Sequence, residues 1–173
     1  ALFDGGHWWT SRGDVLGNVL LFVPLGALAQ WVLAVLLPAF VVVGRGLVGA
    51  ELGWMAVIGL VVYLLPTILL LLIPPLLTLF DAAAGRPRTV RLPYAVCTWL
   101  QWVALLVAGL TIPDSGDAGH LRSALSRWTG LSYEVSEAIF YVAFGLLVLA
   151  WLSALVTAIA AMVSSRRVST PAA

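Results

Sequence analysis

From Val15 to Phe80 apolar residues follow one another almost without a break, and the charged side chains of that stretch are Arg45 and Glu51. A helix needs roughly 20 mostly apolar residues to cross a bilayer, so this run is too long for one span. Further apolar runs at 92–112 and 134–163 have ordinary spanning lengths. The pattern predicts an all-α membrane protein, a polytopic helical bundle with four transmembrane helices at 15–43, 50–80, 92–112 and 134–163. Dividing 15–80 into three helices gives a five-span alternative. Its middle helix would carry Arg45 and Glu51 near its centre, at about 2.5–3.5 kcal/mol each on an insertion scale, and positions i and i+6 do not pair on one helical face. Two helices joined by a turn at Gly44–Ala50 avoid that cost.

The polar intervals set the organisation. Residues 1–14 read as an N-terminal interfacial segment, 15–163 as a single bundle and 164–173 as a tail. The loop 81–91 holds Arg86, Arg88 and Arg91, and the tail holds Arg166 and Arg167. These arginines suit lipid headgroups on the cytoplasmic side. Both termini are then cytoplasmic, although Asp4, Arg12 and Asp14 give the N-terminal end no positive bias. The loop 113–133 balances Asp114 and Asp117 against Arg122 and Arg127 and is placed outside. Within it Leu121, Leu125 and Trp128 fall on one helical face, opposite Arg122, Ser123 and Ser126, which predicts a short interfacial helix. Asp117 can cap it. Pro24, Pro38, Pro66 and Pro74–Pro75 each remove a backbone donor, and the last pair is expected to end the regular part of the second span.

Composition narrows the function. Hydrophobic residues make up 62% of the chain and charged ones 10%, against about 25% charged in soluble proteins. The net charge of +1 provides no basic face for nucleic acid. Cys97, the one cysteine, excludes an internal disulfide and reads as a small buried hydrophobe. All basic residues are arginine, the bias of a bacterial protein from a GC-rich genome, with the cell inner membrane as its location. His7 and His120 both lie outside the predicted spans, so axial haem ligation within the bundle is not expected. No cofactor and no catalytic set is read from the sequence.

The remaining polar and small residues are candidates for helix packing. Asn18, Gln30 and Gln101 suit interhelical hydrogen bonding. Gly49 and Gly53 form a small-xxx-small pair that lets a partner helix approach the start of the second span. Glu134 and Glu137 open the fourth span behind Ser132 as N-cap, where acids favour the helix dipole, and Glu137 faces Tyr141 one turn on. Asp114, Asp117 and His120 recur at spacings of three and are weak candidates for a divalent metal; short loops rich in Asp and Gly are more often solvated turns.

The run Gly13-Asp-Val-Leu-Gly-Asn-Val-Leu-Leu-Phe-Val-Pro-Leu-Gly26 resembles the VanZ-like membrane protein family. Asp14, Asn18, Phe22, Pro24 and Gly26 are the matching positions. The resemblance implies a cell-envelope protein related to glycopeptide resistance. The family's acid and glutamine on a following span are matched here by Glu51 alone.

Taken together, the sequence predicts a non-catalytic integral membrane protein, an accessory or scaffolding subunit of a larger membrane complex. Its partners would be membrane lipids and other membrane protein subunits. A VanZ-like envelope protein is one alternative. A small transporter or channel component is another, and it requires Asn18, Gln30, Gln101 or Glu137 to converge on a hydrated cavity.

Overall fold

The computed structural model describes residues 28–78 and 92–168. An apolar helix α1, Leu28–Val42, leads through a 3-10 turn, Gly44–Val48, into α2, Trp54–Thr78. Helix α3, Leu92–Thr111, follows. A two-stranded hairpin, β1 Asp114–Gly116 and β2 Gly119–Leu121, and a short helix α4, Ala124–Thr129, connect it to the long α5, Tyr133–Val168. Three helices are long and apolar enough to cross a membrane: Trp54–Thr78, Pro93–Thr111 and Tyr133–Val163. The architecture is mostly helical, consistent with an all-α membrane protein. The part of the predicted first span before Leu28 lies outside the described residues.

The helices meet where Ala34 of α1, Leu71 of α2 and Leu105 of α3 are buried together, with Leu147 and Trp151 of α5 against them. Helices α3 and α5 pack through small residues. Ala104 and Ala108 are buried on one, and Ala143, Ala150, Ala154 and Ala158 on the other. Lipid offers apolar chains no less favourable a surface than a neighbouring helix does, so membrane helices gain mainly from close van der Waals contact, and small side chains permit it. This alanine stripe passes unnoticed in the sequence because alanine is common throughout an apolar helix. Glycine does the same for α1. A Cβ on Gly59 would lie 3.2 Å from Val42, and one on Gly109 would lie 3.0 Å from Val41.

The prolines are accommodated within α2, and here an expectation is corrected. Helix α2 runs through Pro74 and Pro75 to Thr78 instead of ending at them. A proline at position 74 leaves the carbonyl of Leu70 without its helical donor. The indole Nε1 of Trp151 donates to that oxygen at 2.9 Å, so α5 supplies the bond that the proline removed. In hydrocarbon such a carbonyl has no water to turn to. Upstream of Pro66 the helix widens into a π-helical stretch, Gly59–Tyr63, a local adjustment that relieves the crowding a proline ring imposes on the preceding turn. Replacing Trp151 by phenylalanine is expected to destabilise the bundle, with about 1 kcal/mol of the loss due to the hydrogen bond. That part should vanish in a Pro74→Ala background, where the helix regains its own donor. Thermal unfolding of the two single variants and the double variant in detergent would measure the coupling.

Candidate functional site: a buried arginine clasp at the loop end of the bundle

The described polar residues concentrate at the end of the bundle formed by the α1–α2 turn and the segment 112–132. Arg45 lies in the 3-10 turn, which ends at Gly49 in the left-handed conformation, with φ of 96°. The turn at Gly44–Ala50 stands where the sequence puts it, but its charge does not face water. Arg45 is 1% exposed and is ion-paired through Nη2 with Asp114, which is 3% exposed. Asp114 comes from the start of β1, beyond α3. A partner this far along the chain leaves no local sequence signal.

Four donors converge on the Asp114 carboxylate. Oδ2 accepts from Arg45 and from the Gly53 amide at 2.9 Å. Oδ1 accepts from the Met55 amide at 3.0 Å and from its neighbour Ser115 at 2.8 Å. Gly53 is the N-cap of α2 and has no side chain with which to cap it. Asp114 therefore caps that helix from another part of the chain, satisfying first-turn donors and placing negative charge at the positive end of the dipole. No larger residue fits at position 53. A Cβ there would lie 2.2 Å from the Ser115 carbonyl and 2.6 Å from Asp114 Oδ1. Arg45 Nε and Nη1 have no hydrogen-bond partner among the described residues.

Burial alone would push the Asp114 carboxyl up, but the bonds from Gly53, Met55, Arg45 and Ser115 outweigh it and hold the group below the usual carboxylate range. It stays ionised at neutral pH with its lone pairs occupied, which fits a structural clasp and not a proton donor. A folded-state value below the unfolded one gives stability that is complete above the unfolded pKa of about 3.9 and lost as pH falls through the folded value. Thermal stability in detergent is expected to drop below about pH 4. An Asp114→Asn variant should start lower and show a shallower drop.

A second polar cluster ties the short helix to the bundle. Ser123 is the N-cap of α4, its Oγ accepting from the Ser126 amide at 3.1 Å. The same oxygen lies 2.7 Å from Ser136 Oγ of α5, which donates to the Thr111 carbonyl at 3.1 Å. Ser123, Ser126 and Ser136 are all buried. The serine face of α4 turns inward onto the bundle, and Trp128 turns out. Leu121 belongs to β2 and not to the helix, and Leu125 is half-buried. Asp117 does not cap α4, being placed instead on the hairpin turn.

The three weak metal candidates do not come together, and no group able to hold a metal ion is found among the described residues. Asp114 is occupied by Arg45 and three amides. Asp117 accepts from Trp54 Nε1 at 3.0 Å, and the His120 ring lies tilted by 32° against Tyr133 with ring centroids 4.2 Å apart. The hairpin register explains this, since it pairs Asp114 with Leu121 and Ser115 with His120.

The packing candidates are distributed over the molecule. Gln30 of α1 donates to Tyr94 Oη of α3, and Gln101 is buried on α3. Glu137 accepts from Tyr141 at 3.3 Å, and Ser132 Oγ accepts from the Val135 amide at 3.4 Å in the N-cap position. Gln30 and Glu137 lie at opposite ends of the bundle, because Tyr94 begins α3 whereas Ser136 meets its last residue. They do not share a cavity. Gly49 and Gly53 precede α2 and form no small-xxx-small helix face. Gly49 closes the 3-10 turn, and its carbonyl accepts from Arg127 Nη1 at 3.1 Å. Arg166 and Arg167 fall on the last turn of α5. Asn18, Arg86, Arg88 and Arg91 lie outside the described residues.

The fold and this clasp define a class, a helical protein with several apolar helices of membrane-spanning length and a polar lock joining its loops. Neither a protein-family profile, nor a curated protein, nor a solved structure matches the chain. The VanZ-like positions Asp14, Asn18, Phe22, Pro24 and Gly26 also lie outside the described residues.

Proposed function

We propose that this protein is a non-catalytic, four-span membrane protein with both termini cytoplasmic, serving as an accessory or scaffolding subunit of a larger membrane complex. The supporting observation is how its polar groups are used. Arg45, Asp114, Gln30, Tyr94 and the serine cluster all join one element to another. They make a rigid frame whose outward faces are apolar. Helix α2 is the most open, with 17% of its most apolar window buried against 39% for α3. Partner helices and lipid are the chemistry that such a face accepts.

Gentle detergent extraction followed by native mass measurement tests this reading. A stoichiometric co-purifying complex is the expected result, and a stable lone monomer would overturn it. Topology is checked by labelling cysteines introduced at Arg88 and Asp117 in a Cys97→Ser background. Position 117 should react from outside and position 88 should not.

A further inference from the structure

The loop end of the bundle exposes residues of two kinds. On the hairpin side Asp117, Ala118, Gly119 and His120 are exposed. The 3-10 turn lies beside α4, where Gly49 borders Arg127 and Trp128. There Leu47 is 92% exposed, Trp128 57% and Leu52 46%. Leu52 folds back over Gly46, within 2.9 Å of where a Cβ there would sit. An apolar patch therefore crowns the turn, with the Arg127 guanidinium at its edge.

We infer that this patch is a lipid-interface anchor: Leu47, Leu52 and Trp128 enter the boundary between headgroups and acyl chains, and Arg127 meets lipid phosphate. Position argues for lipid as the occupant. The turn connects the ends of two apolar helices, so it stands at the edge of the hydrocarbon. Helix α2, of 25 residues, is about 37 Å long and exceeds a hydrocarbon core of about 30 Å. The excess is taken up by tilt or by ends that enter the headgroup layer. Composition argues the same way, because tryptophan beside arginine suits a zone that is apolar below and charged above. Trp54, at the start of α2, shows the pattern in miniature. The residue is 56% exposed while its Nε1 is bonded to Asp117. The hairpin, with small and polar residues outward, is left facing water. The protein would thus sit with its loop end tilted into the membrane on one side, which restricts how far a partner can approach that end.

This inference rests on the membrane-spanning reading, and the experiment separates the two. An environment-sensitive fluorophore is attached to Leu47→Cys, Leu52→Cys, Ala118→Cys and Val61→Cys in a Cys97→Ser background. The full chain is reconstituted in vesicles of phosphatidylethanolamine and phosphatidylglycerol. Labels at 47 and 52 should lose emission to lipids carrying a nitroxide near the headgroup and be shielded from aqueous iodide. The label at 118 should show the reverse. Val61, 78% exposed on α2, should be quenched by lipids carrying the nitroxide deep in the acyl chain. If 61 behaves so while 47 and 52 are as open to iodide as 118, the anchor is overturned and the span stands. Shielding of 47 and 52 from both quenchers means that protein covers the patch, and it overturns the anchor equally. Failure at 61 removes the membrane reading itself, and the anchor with it.

Discussion

Replacing Asp114 by alanine is expected to cost about 3–5 kcal/mol of stability, because it strands Arg45 without its counter-charge in a buried site. Two of the guanidinium nitrogens already lack partners among the described residues. The same substitution removes the acceptor for the Gly53 and Met55 amides, a capping loss of about 1 kcal/mol. Asp114→Asn should cost less, since its carbonyl oxygen can still accept from part of that set. The combination Arg45→Met with Asp114→Asn should recover much of the loss, because an apolar side chain no longer needs a charge beside it. Thermal midpoints in detergent micelles for the single and double variants would give the coupling. A loss below about 1 kcal/mol for Asp114→Ala, the level of an exposed pair, would show that Arg45 and Asp114 are solvated.

Gly53→Ala is expected to rank next, at about 3 kcal/mol, the upper range for forcing an atom into a packed site. The backbone at position 53 is extended, with φ of −125°, so any residue can adopt it. The obstacle is space, because the nearest atom to a new Cβ is the Ser115 carbonyl oxygen, part of a paired strand, and Leu121 Cδ1 lies 2.6 Å away as well. The hairpin must retreat, and in doing so it draws Asp114 off the α2 amides. The two substitutions should therefore be less than additive: once Asp114→Ala has released the hairpin, the methyl group at 53 has room. Additive losses in the double variant would separate the glycine from the clasp and overturn this account.

These two positions also show how far the sequence could be read. The turn at Gly44–Ala50 was legible because two charges inside an apolar run have to be placed outside the hydrocarbon. The glycine at 53 was legible as a site of close approach, but not what approaches it. The sequence pattern suggests a helix, whereas the structure brings a β-strand. The amphipathic pattern of 121–128 located a short element, but did not show that its serine face docks on the bundle. Three serines bury well when they bond to one another and to a helix end, and an apolar face can turn outward where lipid is the solvent. In a water-soluble protein the same pattern would have pointed the other way.

The amino-acid sequence by itself determined where helices long and apolar enough to cross a membrane lie. Long uncharged runs leave a bilayer as the place where their helices are stable, and interruptions by arginine, aspartate and glycine mark where they leave it. That part is local, since each helix satisfies its own backbone and its apolar length can be read along the chain. Only the tertiary structure decided which polar groups hold the frame together. Arg45 with Asp114, Trp151 with the Leu70 carbonyl and Ser123 with Ser136 join residues from separate elements. Each meets a need that arises only after folding: a buried charge, a carbonyl freed by proline, a hydroxyl removed from water. Such needs have no period along the chain, so their solutions become visible only when the helices are side by side.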